Sequence, residues 1–599
     1  MEQTINGIFK QRADKYQSRI ALEKKRNGAW ESITWNQYYE KARAAGLGLA
    51  SLGIAKGDRV GIFSDNHLEW LYADMGGLGL GAVVVPLYPT LTEEEAAYIV
   101  QDSGCTVLVV GDKEQLAKAK RIRAGNPALQ MIVSILDAPT NGDGGLISFA
   151  RLMEIGAKKQ KFEPGLFERS AALVALDDLA TIVYTSGTTG LPKGVMITHR
   201  NIMFVLQGLA SIAPAYATED DQTVPFLPLS HVFGRIADHY MGMYAGIACS
   251  FAESFNTLLE DIQEKRPTAI MAVPRVCEKV FQKIMEQVET QPLAMQKVFY
   301  WSQKIGEQVS ELREAARPVP PLLNLKYQLA YAMVFRKLQD RLGGRVRYIM
   351  AAGGPTAREI QLFFNAAGIA VVEGYGLTET TAPAALSNLS DYRIGTVGAP
   401  LPGVDVKIAE DGEVLIKGDN VFTGYWNLEQ ETRRAFTDDG YFMSGDLGEL
   451  DDRGFLKITG RKKDLIITAG GKNIAPQKIE SLFMSDPLFL HFIVIGDRKK
   501  YLSALVNINL EQAATLAEKA GINFSQPVDL LDNPEFLAIV ERHVGERNTH
   551  LARFETIKQY RIIKEEFSQE SGEMTASLKL KRNVINDKYA NLVEDMYPG

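Results

Sequence analysis

Cysteine is scarce in this sequence: Cys105, Cys249 and Cys277 are the only three in 599 residues. They lie far apart and show no Cys-x-x-Cys spacing, which excludes a disulfide framework and a cysteine-ligated zinc site. Each is expected to be a buried, inert thiol. Long hydrophobic runs are scarce too. The most apolar stretch, Met75 to Tyr88, falls short of the ~20 residues needed to cross a bilayer, and Pro86 interrupts it. Met1 to Ser18 mixes charges with single apolar residues and lacks the apolar core of a secretory leader. A surplus of positive charge is also missing. The 66 Lys and Arg stand against 73 Asp and Glu, a net charge of −7, whereas a general nucleic-acid binder is usually basic. No internal repeat and no low-complexity tract occurs. These absences predict a cytoplasmic protein with no transmembrane segment and no nucleic-acid partner. Peripheral contact at the inner membrane face stays open, as does the choice between monomer and homodimer.

What is present is a long chain of ordinary globular composition, 46% hydrophobic and 23% charged. A single hydrophobic core stops growing at roughly 250–300 residues, so several subdomains are expected. Apolar β-rich runs (Val60 to Phe63, Ala82 to Val85, Val107 to Val110, Met131 to Ile135) alternate with amphipathic helical patterns. This is the signature of α/β layers on largely parallel sheets. Gly77-Leu78-Gly79-Leu80-Gly81-Ala82 loosely fits a dinucleotide fingerprint, but it precedes a strand rather than following one, so it reads as helix packing. A helical, charged insert spans about Gln291 to Leu342 and is broken by Pro318, Pro320 and Pro321. Its second half carries Arg336, Lys337 and Arg341 among apolar residues, either as solvated surface or as a face for anionic lipid or an acidic partner. At Gly460-Arg461-Lys462-Lys463-Asp464 the texture becomes short, charged and glycine-led. The expected division is a large domain over 1–462, built of layered sheets and helices, and a small mobile α+β domain over 463–599.

Four short segments carry chemistry. The first is Tyr184-Thr185-Ser186-Gly187-Thr188-Thr189-Gly190-Leu191-Pro192-Lys193-Gly194, set between two β-like runs. Glycines turn backbone N–H groups toward one point, hydroxyls add donors and Lys193 completes a cradle for an anion. It is not a Walker A loop, because Gly190 is not followed by Lys-Ser or Lys-Thr. The second is Glu373-Gly374-Tyr375-Gly376-Leu377-Thr378-Glu379-Thr380, after the strand-like Ile369 to Val372. It combines a ring that can stack, a hydroxyl that can bond phosphate and a carboxylate that can hold Mg²⁺. The third is Ser444-Gly445-Asp446-Leu447-Gly448 with Arg461 beyond it. A carboxylate accepts at both oxygens and so suits two neighbouring hydroxyls. The fourth is Thr575 to Arg582, whose lysines would by themselves be surface charge.

Together these segments resemble the adenylate-forming superfamily of acyl-CoA synthetases, luciferases and peptide-synthetase adenylation domains. The match runs from about Thr34 to Arg582 and looks most like bacterial long-chain fatty-acid–CoA ligases. The resemblance implies ATP, Mg²⁺ and coenzyme A as co-substrates and cofactor. A fatty acid would be joined to AMP with release of pyrophosphate, then passed to coenzyme A. Thr185, Ser186, Gly187, Thr188, Thr189, Gly190 and Lys193 would hold phosphates. Tyr375 would flank adenine, with Gly353, Gly374 and Gly376 beside the nucleotide. Thr378 would contact the α-phosphate, Glu379 would ligate magnesium, and Asp446 with Arg461 would take the ribose. Lys579 falls on the adenylation lysine, with Leu578 where many relatives have glycine and Lys581 as the rival. His231, in Pro228-Leu229-Ser230-His231-Val232-Phe233, would border the acyl carboxylate. Lys463 falls at the hinge, and Gly470 and Gly471 would face the coenzyme A channel in a second pose. Acetate-specific relatives carry tryptophan where this chain has Gly376, and amino-acid-activating relatives carry aspartate where it has Val232. A longer, uncharged acid is therefore expected. The chain ends soon after Lys579, so free coenzyme A is the expected acceptor. The alternatives are a ligase for medium-chain or aromatic acids and a non-catalytic nucleotide- or acyl-binding protein on this fold.

Overall fold

A computed structural model describes residues 3–136, 144–185, 191–212, 217–315, 317–569, 571–575 and 579–598. Two large sheets carry the first three quarters of the chain. Among the described residues one has nine strands and the other eight. In the nine-stranded sheet Ala248–Phe251, Gln222–Thr223, Ala269–Ala272, Tyr348–Ala352 and Ala370–Leu377 run parallel. Antiparallel Ala382–Leu386 and Ala399–Pro400 close one side. In the eight-stranded sheet Arg59–Phe63 lies parallel between Val83–Leu87 and Val107–Val110.

Both faces of these strands are covered, as parallel sheets require, and side-chain alternation decides which core each residue joins. Val107 and Val109 enter the core between the two sheets, while Leu108 and Val110 enter an outer one. Ala269 and Met271 face the same inner core, while Ile270 and Ala272 face the helices on the far side. Helices Trp35–Ser51 and Leu68–Gly79 fill the space between. They approach closely because glycines meet: a Cβ on Gly76 would lie 2.6 Å from the Ala42 carbonyl and 2.7 Å from Gly46 N. The helix-packing reading of the Gly77–Ala82 region agrees, since a side chain on Gly79 would collide with Phe167.

The insert is helical. Leu293–Glu314 leads through the proline-rich turn into Pro321–Ala330, which continues through a π-helical turn into Arg336–Arg341. A four-stranded antiparallel sheet follows and ends in Leu456–Arg461. From Ile466 onward a separate apolar core forms around Phe483, Phe492 and Phe536. Among the described residues each apolar cluster draws on one side of position 462 only. The two sides meet through polar groups instead: Lys519 with Glu289 at 2.7 Å, Arg547 with Glu359 at 3.5 Å, Gln512 with Glu286, and Gln569 Nε2 on the Thr90 carbonyl at 2.6 Å. The three thiols are buried as expected, and burial pushes each up to about 12. No described helix is long and apolar enough to cross a membrane.

Candidate active site

The second and third motifs meet at the carboxyl ends of the nine-stranded sheet, where ligands of open α/β sheets commonly bind. Ala352 pairs with Gly374 in register, so Gly353 and the Gly374–Glu379 segment emerge side by side. Gly353 holds φ +91°, a turn that only glycine enters without strain. Tyr375 donates from its hydroxyl to Asp446 Oδ2 at 2.8 Å, and Arg461 Nε donates to Asp446 Oδ1 at 2.9 Å. One carboxylate thus ties the second motif to the third. The turn beneath it is braced from below, because Gly445 N donates to Glu413 Oε1 at 2.8 Å.

Glu379 lies in a short 3₁₀ turn, Thr378–Thr380. Burial pushes its carboxyl above the usual carboxylate range, and the Tyr425 hydroxyl, donating to Oε1 at 2.9 Å, opposes that shift. The Thr378 hydroxyl has no protein partner among the described residues. Immediately beyond, Thr381 and Ala382 both hold positive φ, 56° and 74°. Non-glycine residues adopt this conformation only when their surroundings enforce it. The enforcement comes from hydrogen bonds: Thr380 Oγ1 donates to the Ala382 carbonyl at 2.9 Å, and Thr381 Oγ1 donates to the Asn420 carbonyl at 2.8 Å.

Thr185 and Lys193 face each other across the hairpin of Leu179–Thr185 and Lys193–Thr198. Ser186, Gly187, Thr188, Thr189 and Gly190 lie outside the described residues. Lys193 pairs with Glu431 at 2.6 Å and sits 5.1 Å from the centre of the Tyr425 ring. His231 accepts from Phe233 N at its Nδ1 at 3.0 Å, which leaves the ring proton on Nε2 as a donor. Burial, helped by the charge of Lys579, pushes this ring down to about 3, so it is neutral near pH 7. Lys579 keeps solvent access, but desolvation lowers its ammonium pKa, and Arg461 adds to the effect. Asp446 and Glu379 pull the other way. Arg461, Asp446, Glu379 and His231, from segments up to more than 300 residues away in sequence, thus all lie within electrostatic reach of Lys579. Lys581 instead stands immediately before helix Arg582–Lys588, with no side-chain bond to its first turn.

The other sequence candidates lie apart from this cluster. Lys463 is exposed in the turn Lys462–Asp464 and makes no ion pair among the described residues. Its neighbours are tied, Lys462 to Glu413 at 2.8 Å and Asp464 to Gln477 at 2.7 Å. Gly470 and Gly471 are exposed at the tip of the Ile466–Ile467/Asn473–Ile474 hairpin. One inference needs correction. A Cβ on Gly376 would overlap the Ala382 carbonyl, so this glycine serves the close crossing of two strands and is not an opening for an acyl chain. Tyr425 and Glu431 were missed by sequence reasoning. Gly424-Tyr425-Trp426-Asn427 carries no charge pattern or spacing that announces chemistry.

Asp446 with Arg461, the Thr378–Glu379 pair and Lys579 are the arrangement that the sequence resemblance to adenylate-forming enzymes led one to expect. Residues 9–426 match the family model described as AMP-binding enzyme, and residues 463–599 match that of the AMP-binding enzyme C-terminal domain. The chain belongs to the AMP-binding enzyme family. It is 36% identical over 572 residues to the long-chain-fatty-acid–CoA ligase FadD15 of Mycobacterium tuberculosis, covering 95% of this chain and 93% of that one. It is 32% identical over 633 residues to the human long-chain-fatty-acid–CoA ligase ACSBG1, covering 99% and 85%. Among solved structures it resembles the anthranilate CoA ligase AuaEII in complex with anthranoyl-AMP, with a TM-score of 0.73 at 20% identity over 99% and 98% of the two chains. The adenylation domain of a carboxylate reductase from Mycobacterium chelonae superposes with a TM-score of 0.75 at 21% identity, over 99% and 91%.

Proposed function

We propose that this chain is an AMP-forming long-chain fatty-acid–CoA ligase. The observation that carries this reading is the convergence of Asp446 with Arg461, and of Glu379, around Lys579. Full-length similarity to ligases of that name supports it. The first step joins the fatty carboxylate to the α-phosphorus of ATP and releases pyrophosphate. Lys579 neutralises charge as it builds on the α-phosphate, where a preorganised cation is most effective. Asp446 accepts from the ribose hydroxyls and Arg461 orients it. Neutral His231 offers Nε2–H toward the acyl carboxylate without competing for its charge. The Thr378 hydroxyl and the Glu379 carboxylate are hard oxygen donors, and one or two carboxylates plus substrate phosphates are the usual setting for Mg²⁺. When bound there, the cation supplies charge neutralisation to the triphosphate. Coenzyme A then displaces AMP. For this step Lys463, which makes no ion pair among the described residues, lets the small domain turn at the proposed 462/463 boundary and bring Gly470 and Gly471 to the thiol's path.

We also propose peripheral contact with the cytoplasmic membrane face through helix Pro321–Ala330. Leu322 is 67% exposed and Leu325 68%, with Leu329 on the same face and Lys326, Arg336 and Lys337 close along the chain. Exposed leucine beside lysine and arginine is the pattern of an interfacial helix. The ligase reading is tested by pyrophosphate release across acids from acetate to oleate, with and without coenzyme A. Activity rising with chain length and thioester formed only with coenzyme A are expected. Turnover confined to acetate or to aromatic acids would refute it.

A further inference from the structure

A small cavity of about 30 Å³ lies under the nine-stranded sheet, between it and the π-helix Gly234–Tyr240. That is room for about one or two small polar groups or waters. Its walls include Met271, Tyr348, Met350 and Leu386 from the sheet, and Ala237 and Asp238 from the helix. Leu386 joins it to the active site, because a Cβ on Gly374 would lie 3.1 Å from Leu386 Cδ1. The same π-helix begins three residues after His231. Strands Tyr348–Ala352 and Ala382–Leu386 and the segment from His231 to Tyr240 thus border both the cavity and the proposed active site.

One wall group is out of keeping with the rest. Asp238 is 2% exposed, and its Oδ2 is buried without a hydrogen-bond partner. The other polar wall groups are occupied: Asp221 accepts from Arg347 and from Thr218 N, and Tyr348 has a partner. The helix is also held firmly on its opposite side. Arg235 pairs with buried Asp74, Tyr240 donates to the same carboxylate at 2.9 Å, and His239 Nε2 bonds the Tyr38 hydroxyl at 2.7 Å. Those bonds fix the orientation from which Asp238 projects. Inserted residues of π-type in helices recur at functional sites. Burial pushes the Asp238 carboxyl well above the usual carboxylate range, which favours its protonated form. A neutral carboxylic acid both donates and accepts, which matches a hydroxyl and offers nothing to a methylene.

We propose that Asp238 is a specificity residue that recognises a hydroxyl group carried on the fatty chain, so that this chain's substrates include hydroxylated long-chain acids. The inference rests on the ligase reading above and names a substrate class within it. The test uses the full chain and a series of hexadecanoic acids bearing one hydroxyl at successive positions, with hexadecanoic acid as reference. The readout is the ratio of kcat/KM for each hydroxy acid to that of the reference, whatever a variant does to absolute rate. One position, or two adjacent ones, should be used at least as well as the reference, and the others worse. Asp238→Leu should lower the ratio at that position by about tenfold to a hundredfold, since a site built for a hydroxyl discriminates strongly when its partner is removed. Asp238→Asn, which keeps a donor and an acceptor, should retain most of it, and Asp238→Ala serves as the test if the leucine variant fails to fold. Ratios below one at every position in the parent, or ratios unchanged in a folded Asp238→Leu or Asp238→Ala variant, would overturn the proposal and leave a water-filled void. Absence of turnover with hexadecanoic acid itself would instead overturn the ligase reading and this one with it.

Discussion

The hydroxyl of Tyr425 is a single atom whose removal reports on the proposed magnesium ligand. Tyr425→Phe keeps the ring, which packs 4.8 Å centre to centre against Phe422, and deletes only the 2.9 Å bond to Glu379 Oε1. A hydrogen bond to a charged group is worth ~1.5–3 kcal/mol. Tyr425 is only partly buried, so the low end applies, and ~1.4 kcal/mol is a factor of ten at 25 °C. The magnesium concentration for half-maximal pyrophosphate release should therefore rise about tenfold, with little change in melting temperature. The pH profile should move as well. Burial already holds the Glu379 carboxyl above the usual range, and the tyrosine bond pulls it back down. Without that bond the folded carboxyl's pKa rises further, so the acid limb of activity shifts to higher pH. Stopped-time pyrophosphate assays across magnesium and pH read both effects. An unchanged magnesium requirement together with an unmoved acid limb would refute the coupling between Tyr425 and Glu379.

Three further outcomes are expected. Lys579→Ala should reduce acyl-adenylate formation by at least about a hundredfold while thioester formation from supplied acyl-adenylate is largely spared; no loss in either step moves the role to Lys581. Lys463→Pro should preserve pyrophosphate release without coenzyme A and collapse transfer to it, because proline fixes φ at a residue proposed to swing; parental thioester rates in a single-turnover assay would place the hinge elsewhere, with Asp464 next. Leu322→Ser with Leu325→Ser should abolish cosedimentation with anionic phospholipid vesicles and leave the assay in detergent-free buffer with soluble acids intact; undiminished cosedimentation rules out this helix as the contact.

The layered α/β architecture was legible because parallel strands buried on both faces read as plain apolar runs, and Val107 to Val110 stands unchanged as a strand. Glu379, Asp446 and Lys579 could be picked out as site candidates through resemblance, since each sits in a short contiguous motif. The partnerships were not. Tyr425 meets Glu379 across 46 positions, and Arg461 meets Asp446 across fifteen. A lone tyrosine in a turn carries no mark of its target. Gly376 shows the converse failure. Its lack of a side chain read as space, whereas a neighbouring strand's carbonyl fills that space. The π-helical turn that aims Asp238 has no periodicity that a sequence pattern would register.

The seam between the two sides of position 462 has a consequence for control. It is stitched by exposed ion pairs such as Lys519 with Glu289, not by shared apolar packing. Such pairs are worth ~0–1 kcal/mol each and weaken within a Debye length of ~8 Å at physiological salt. Little energy then holds the small domain in the posture seen here. In the two-pose cycle proposed above, the balance between making adenylate and discharging it becomes a property of the surrounding solution, and dissolved ions act as a throttle on how long each intermediate waits.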